Sequence, residues 1–417
     1  LSGYTVFSGK NHCIILVRCI MIEYEEQCNR NRNGGFLAMR GKRWIQKITA
    51  AALAAAVAVS LSGTGFAKET VVYAAEEAAQ AAVPQVLPQP TPEEAYAAAG
   101  FVRSVYTNEW IPAEQAGVRP IAVMMPTDRI AQPSYGIGNA KILYEIMEEG
   151  EISRQMAIID DWTGLSKIGN VRSCRAYYLP EATEWDPILV HFGGVVYMKD
   201  RITAPDINNI TGAQQYGVAG GTPGAEAFFR TTDRKAPHNA YTSAPGIVNA
   251  CAQLGYPLNI RQGVYNPKHF TFAQGINTLE QYGAAAATAN AIDLSQIYTY
   301  TKSAFVYNPA DGLYYKSIHG KPQTDGLNGE QLKFANVIVQ NTKWVRLDDK
   351  GYLAFQNIDN TEDGYYFTKG KCIHVTWQKM GDYLPTVYYD DFGNEIQLNE
   401  GKTYIAVAQK GRSVLYN

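Results

Sequence analysis

The sequence predicts an α+β fold: an α/β-layered N-terminal domain over residues 119–292, then a mostly antiparallel β domain over 293–417. Three observations lead there. Between residue 119 and about residue 256, short apolar runs that read as buried strands alternate with helix-like patterns. Near Asp293 the hydrophobic period becomes two and holds to Gln409. Turn-forming clusters then recur at Asn308–Gly312, Asp349-Lys350-Gly351, Asp363-Gly364, Lys369-Gly370 and Phe392-Gly393-Asn394, many of them able to close hairpins.

With 417 residues, 46% hydrophobic and 18% charged, the chain has room for one large domain or two ordinary ones. Its first part is of another kind. From Met39 the chain reads MRGKRWIQKITAAALAAAVAVSLSGTGFA, with Arg40, Lys42, Arg43 and Lys47 ahead of a small-residue apolar run from Ile48 to Leu61. That is the pattern of a secretory signal peptide over 39–67, cleaved after Ala67 or near Tyr73-Ala74. The alternative, an uncleaved anchor, is disfavoured by the short Ala-rich run. Residues 1–38 are expected to be a spurious upstream extension, so His12, Cys13, Cys19 and Cys28 are left out of any metal reading. Residues 68–118, rich in Ala, Glu, Gln and Pro at their start, are expected to be a linker with a short helix opening at Thr91-Pro92-Glu93-Glu94. The expected location is extracellular or in the cell envelope, touching membrane only through an uncleaved signal helix.

Eight of the 37 basic residues and three of the 39 acidic ones precede Lys68, which leaves 29 against 36 and a net charge of about −7. Such an acidic chain without a basic run excludes nucleic acid as a natural partner. Cys174, Cys251 and Cys372 remain after cleavage, an odd number without CxxC spacing, which reads as buried thiols, with one disulfide as the alternative.

Taken in order, RPIAVMMP reads as a buried strand and SYGIGNAKILYEIMEEG as a helix. Ile142, Leu143, Ile146 and Met147 recur at helical spacing, Gly150 stops the helix, and Glu145 and Glu149 share one face. The Gly136–Gly138 pair lacks the third glycine of a dinucleotide site and reads as a turn. Ile152–Asp160 is a second strand, VRSCRAYYLPEA a turn into a helix, and DPILVHF a third strand. Residues 199–224 read as a polar surface loop, 246–256 as a helix, and 263–290 as a mobile Ala-rich excursion.

The blocks RPIAVMM, ILYEIMEEGEISR, KIGNVRSCRAYY, ILVHFGG, APHNAY, LYYKSIHGKPQTDGLNGEQLKFANVIV and W-x-K…D-x-x-G-x-x-I-x-L-x-x-GKTYIAV follow one another from Arg119 to Val407. In that order they resemble the YerB-like proteins, bacterial envelope proteins built from paired domains of unknown function. The resemblance implies an exported two-domain protein without a defined activity. Members are often lipoproteins with a Leu-Ser/Ala-Gly-Cys box; here that place reads Leu61-Ser62-Gly63-Thr64, which removes the cysteine for lipid attachment. Met125-Pro126-Thr127 also departs from an Asn-rich version of that loop.

Candidate site residues cluster around Lys167–Gly194. Arg172 and Arg175 flank Ser173 at an expected helix start, a fork for carboxylate or phosphate. The plain alternative pairs them with Glu145 and Glu149. His191 ends an apolar strand before Gly193-Gly194, where a ligand can approach the backbone, or else it is a histidine satisfied within the core. Arg230, His238 and Asn239 form a second cationic loop, and His319 and Asp325 a Gly-rich one. His191, His238, His319 and Asp325 have metal-ligand chemistry without local spacing, so neither metal nor cofactor is expected. Cys174 between two arginines reads as a small buried residue, the alternative being a nucleophile of lowered pKa paired with His191 or His238; no GxSxG marks a serine one.

Two functions follow. One is an exported protein that binds an envelope polymer, a small anionic ligand or a protein partner through an Arg/His-lined cleft. The other is a hydrolase on a cell-wall substrate, with His191 or His238 as base and Glu145 or Glu149 as acid. If the arginines are fully neutralised, a structural or scaffolding role replaces both.

Overall fold

A computed structural model describes residues 91–214, 222–358 and 360–417, all within one compact unit spanning Pro90–Asn417. The expected extension, signal peptide and first part of the linker lie outside the described residues. The fold begins at Thr91 rather than at Arg119. The Thr91 hydroxyl accepts from the Glu94 N–H at 3.2 Å, and the Glu94 carboxylate accepts from the Thr91 N–H at 2.9 Å. This reciprocal cap starts the helix Pro92–Ala98. Strands Phe101–Arg103 and Trp110–Pro112 pair next, and Tyr96 stacks on Trp110 with ring centroids 4.9 Å apart. The C-terminal part of the expected linker is therefore folded chain.

An eleven-stranded sheet is the centre of the described structure. Its order is Ala287–Thr288, Lys371–Lys379, Asn360–Thr368, Asn336–Thr342, Thr403–Gln409, Ile142–Met147, Ser153–Ile159, Ile121–Pro126, Ile188–His191 and Asn209–Thr211, with Val387–Tyr389 added beside Lys371–Lys379. The sheet runs through Asp293 without a break, because Thr403–Gln409 pairs parallel with Ile142–Met147.

Ile142–Met147 is a strand, not the predicted helix, and the physical reason is burial on both faces. All six side chains are buried. A strand covered on both sides shows a continuous apolar run, and over six residues such a run carries no period that separates strand from helix. Tyr144 therefore points to one face and Glu145 to the other. Glu145 and Glu149 share no helix face. Asp363-Gly364 is likewise no turn; it lies inside the strand Asn360–Thr368. The other turn clusters do lie between strands.

The predicted strands at Ile121–Pro126, Ser153–Ile159 and Ile188–His191 are present, as is the helix Ala244–Leu254, the longest among the described residues. The expected loop at 199–224 contains a short helix, Lys199–Ile202, and the sheet strand Asn209–Thr211. The 263–290 excursion is docked, with Thr271–Phe272 pairing parallel to Gln397–Leu398. Helices beside the sheet are short, so the described fold is mainly β.

A second, six-stranded sheet that includes Ala304–Asn308 and Leu313–Ile318 covers the Glu145 face. There Lys316 Nζ lies 3.2 Å from Glu145, and Ser153, Gln155, Ser303 and Tyr404 all donate to that carboxylate. Burial raises the pKa of Glu145, but Lys316 and these donors hold it below the ordinary carboxylate value. On the opposite face Tyr144 donates to Glu184, which also pairs with Lys379 at 3.0 Å. One buried ion pair thus ties the central sheet to the six-stranded sheet, and the other ties the sheet's own strand Lys371–Lys379 to the end of the helix Leu179–Thr183.

Candidate functional site

The segment Asn170–Cys174 is held in place by backbone bonds. Val171 N–H donates to Ala240, Arg172 N–H to Met124, and Cys174 N–H to Gly193, at 2.8, 2.9 and 3.1 Å. Asn170 then joins three loops. Its amide donates to the carbonyls of His238 (2.7 Å) and Ala131 (3.1 Å), and its oxygen accepts from Ser134 (3.1 Å). The sequence reading overlooked Asn170, whose only local signal is its place in KIGNVR.

This framework brings Arg154, Arg172, Arg175 and His238 to Asp128, Glu148 and Glu149. Arg175 forks onto Glu149, with Nε 3.0 Å from Oε2, and lies 3.5 Å from Glu148. Arg154 donates to Glu148 at 2.7 Å and to the Ser173 carbonyl at 2.8 Å. Burial opposes the charge on Arg175, and the two glutamates more than restore it, raising its pKa above the ordinary guanidinium value. Arg175 is thus neutralised by Glu149, as the plain alternative has it, whereas Glu145 is taken by Lys316.

Arg172 is different. Among the described residues no carboxylate oxygen lies within 4.0 Å of it, and its Nη1 lies 3.1 Å from His238 Nδ1. Its side chain is half-buried. Burial first, and then the neighbouring Arg154 guanidinium, hold its pKa below the usual arginine value. A guanidinium only donates, so His238 Nδ1 accepts and its proton sits on Nε2. Burial lowers the pKa of His238; Asp128, 3.9 Å away, opposes this, and Arg172 reinforces it. At neutral pH the pair therefore presents a guanidinium and a neutral imidazole N–H, donors on one partly open surface.

The other sequence candidates are separated from this pair or serve the fold. His191 is fully buried, with Nδ1 2.8 Å from the Gly193 carbonyl and Nε2 3.2 Å from Asn209; burial lowers its pKa, and it is a core histidine rather than a base at an open cleft. Gly193 donates to Thr211 at 2.9 Å and turns the chain at φ 79°, and a Cβ on Gly194 would collide with Met198 Sδ, so the first glycine serves the turn and the second close packing. Arg230 donates to Asn239 at 2.7 Å and sits over the Phe192 ring, closing its own loop. The Asp325 carboxylate accepts from the Gly136 and Gly138 N–H groups at 3.0 and 2.6 Å, which makes it an anchor for that turn. His319 donates from Nε2 to the Thr127 carbonyl at 2.7 Å. Cys174, Cys251 and Cys372 are all free and buried, as the cysteine count predicts, and burial pushes the Cys174 thiol up to about 12 in spite of Arg175, which removes the alternative reading of Cys174 as a nucleophile. No group of three metal-ligating side chains occurs among the described residues.

Comparison with known proteins agrees with the order of the motifs. Residues 106–257 match the N-terminal domain, and residues 293–405 the C-terminal domain, of a family described as "Protein of unknown function (DUF3048)". A Bacillus subtilis (strain 168) protein named "Putative lipoprotein YerB" is 26% identical over 291 residues, covering 69% of this chain and 81% of its own length. The crystal structure of YerB from Bacillus subtilis superposes with a TM-score of 0.62 at 23% identity, over 75% of this chain and 99% of that one, and so shares its fold. With both domains matched in order, the chain belongs to the YerB-like family of paired DUF3048 domains.

Proposed function

We propose that this is an exported cell-envelope protein that binds an anionic envelope component through Arg172 and His238. The observation that carries the reading is the Arg172 guanidinium, half-buried, bonded to a neutral histidine and without a carboxylate within 4.0 Å among the described residues, while its neighbours Arg154 and Arg175 are both matched to glutamates. An arginine kept partly desolvated without a carboxylate is poised for carboxylate or phosphate. The name of the relative YerB supports placement at the envelope.

The test is a thermal-shift and calorimetric screen of the protein against cell-wall fragments and phosphorylated sugars, with Arg172→Ala and Arg175→Ala made separately. Binding lost in Arg172→Ala at unchanged folding supports the reading. A screen in which no bound anion is weakened by Arg172→Ala would sink it.

The hydrolase reading retains one observation, the 3.9 Å approach of Asp128 to His238. It needs Asp128 as the partner of His238, since Glu145 and Glu149 are committed to Lys316 and Arg175. Release of products from cell-wall fragments, abolished by His238→Gln, is its test.

A further inference from the structure

A cavity of about 390 Å³ lies at the N-terminal ends of two neighbouring parallel strands, Ile142–Met147 and Thr403–Gln409. Thr403 pairs with Ile142, and the Thr403 N–H donates to the Lys141 carbonyl at 3.0 Å, so the register brings Lys402 beside Lys141. Both lysines line the cavity, and both are half-buried. Like charges at matched positions of adjacent strands repel one another unless an anion lies between them. Lys141 Nζ is 3.8 Å from Asp160. Lys402 has no carboxylate within 4.0 Å among the described residues, and its Nζ donates to the Gly138 carbonyl. Burial first, and then Lys141, hold the Lys402 pKa below the usual lysine value.

The same cavity is lined by carboxylates without cations. Glu109 is half-buried and Glu330 exposed, and among the described residues neither carboxylate has a hydrogen-bond partner or a cation within 4.0 Å. Both favour the charge on Lys402, which places them nearby, yet neither reaches it. The remaining charges around the cavity are matched. Asp325 accepts from the Gly136 and Gly138 N–H groups, Lys333 lies 4.0 Å from Asp311, and Glu400 lies 2.7 Å from Arg103. One cavity is thus lined by a lysine without a carboxylate and two carboxylates without a cation, and these do not meet one another.

A purely anionic ligand would satisfy the lysines and be repelled by Glu109 and Glu330, and a purely cationic one the reverse; a molecule that carries both charges satisfies both. We propose that this cavity is a second binding site, sharing no residue with the Arg172–His238 site, for a zwitterion whose carboxylate lies between Lys141 and Lys402 and whose ammonium meets Glu109 and Glu330. The volume falls within the range of small-molecule sites, about 300–1,000 Å³. The shared chemistry is a free amino group and a free carboxyl group on one molecule, which either a single amino acid or a short peptide provides.

The test is calorimetric titration of the full chain with alanine, alanyl-alanine, N-acetyl-alanyl-alanine and alanyl-alanine amide. Alanine or alanyl-alanine is expected to bind at least about tenfold more tightly than either blocked dipeptide, which separates a zwitterion from a ligand of one charge. Which of the two binds more tightly tells an amino-acid site from a peptide site. Lys402→Met and Glu109→Gln are each expected to lose about tenfold or more, while Arg172→Ala leaves this binding unchanged. Lys402 is half-buried, so an unchanged melting midpoint is needed to show that Lys402→Met is folded; Glu109→Gln, which keeps the side-chain shape, serves if it is not. Absence of binding by both zwitterions overturns the proposal, and so does a blocked dipeptide that binds as tightly as they do. A loss that follows Arg172→Ala instead of Lys402→Met or Glu109→Gln also overturns it, and would assign the ligand to the Arg172–His238 site.

Discussion

Arg172 Nη1 lies 3.1 Å from His238 Nδ1, while Arg175, three residues on, is folded onto Glu149. Two arginines that look equivalent in sequence therefore differ in what their loss would do. Arg175→Ala leaves Glu148 and Glu149 without one of their cations and is expected to lower stability by about 3–5 kcal/mol, read as a drop in the urea midpoint. Arg172→Ala breaks no ion pair and is expected to cost about 1 kcal/mol or less. Equal losses in the two variants would contradict the assignment.

The Glu145–Lys316 pair joins the central sheet to the six-stranded sheet. Lys316→Met strands a carboxylate in the interior and is expected to destabilise by about 3–5 kcal/mol, whereas Lys316→Met combined with Glu145→Leu recovers part of that loss. A double-mutant cycle by denaturant titration measures the coupling. A coupling energy near zero would show that the pair is not what holds the sheets.

Glu181 sets a pH dependence. It is fully buried, and among the described residues neither carboxylate oxygen makes a well-formed hydrogen bond, with only the Asn357 and Gln340 amides beside it to favour the charged form. Burial, and then Glu184, push its pKa up to about 8, against the opposing charge of Lys379, from 4.5 for a free carboxyl. Tyr144 and Tyr388 are the other ionisable groups around this pair of glutamates, and His269 faces Glu184. The folded state holds the proton more tightly than the unfolded chain. This group's contribution is therefore full below about pH 4.5 and lost as pH rises to about 8, at up to about 1.4 kcal/mol per pH unit. Glu181→Gln is expected to flatten that slope in urea midpoints measured from pH 4 to 9. An unchanged slope would place the proton elsewhere.

The cysteines offer a chemical check. Burial pushes Cys174 up to about 12 and Cys251 up to about 11, and raises Cys372 as well. Iodoacetamide on the native protein, followed by peptide mass mapping, is expected to leave all three unlabelled until denaturant is added. Rapid labelling of Cys174 in the native state would restore it as a nucleophile.

The sequence by itself determined the strands at Ile121–Pro126, Ser153–Ile159 and Ile188–His191, the helix at Ala244–Leu254 and the family, because each rests on a local pattern or an ordered set of motifs. The local cap at Thr91 was also legible, although the end of the linker was not. Only the tertiary structure decided that Ile142–Met147 is a strand, since burial on both faces erases the period that tells a strand from a helix. It also decided which charges meet. Glu145 faces Lys316 rather than Arg172, His191 is sealed against Asn209, and Asp325 anchors the turn at Gly136. Local sequence records which residues are charged and roughly how buried a segment is. The partner of each charge depends on strand order and register, set by contacts between segments far apart in the chain.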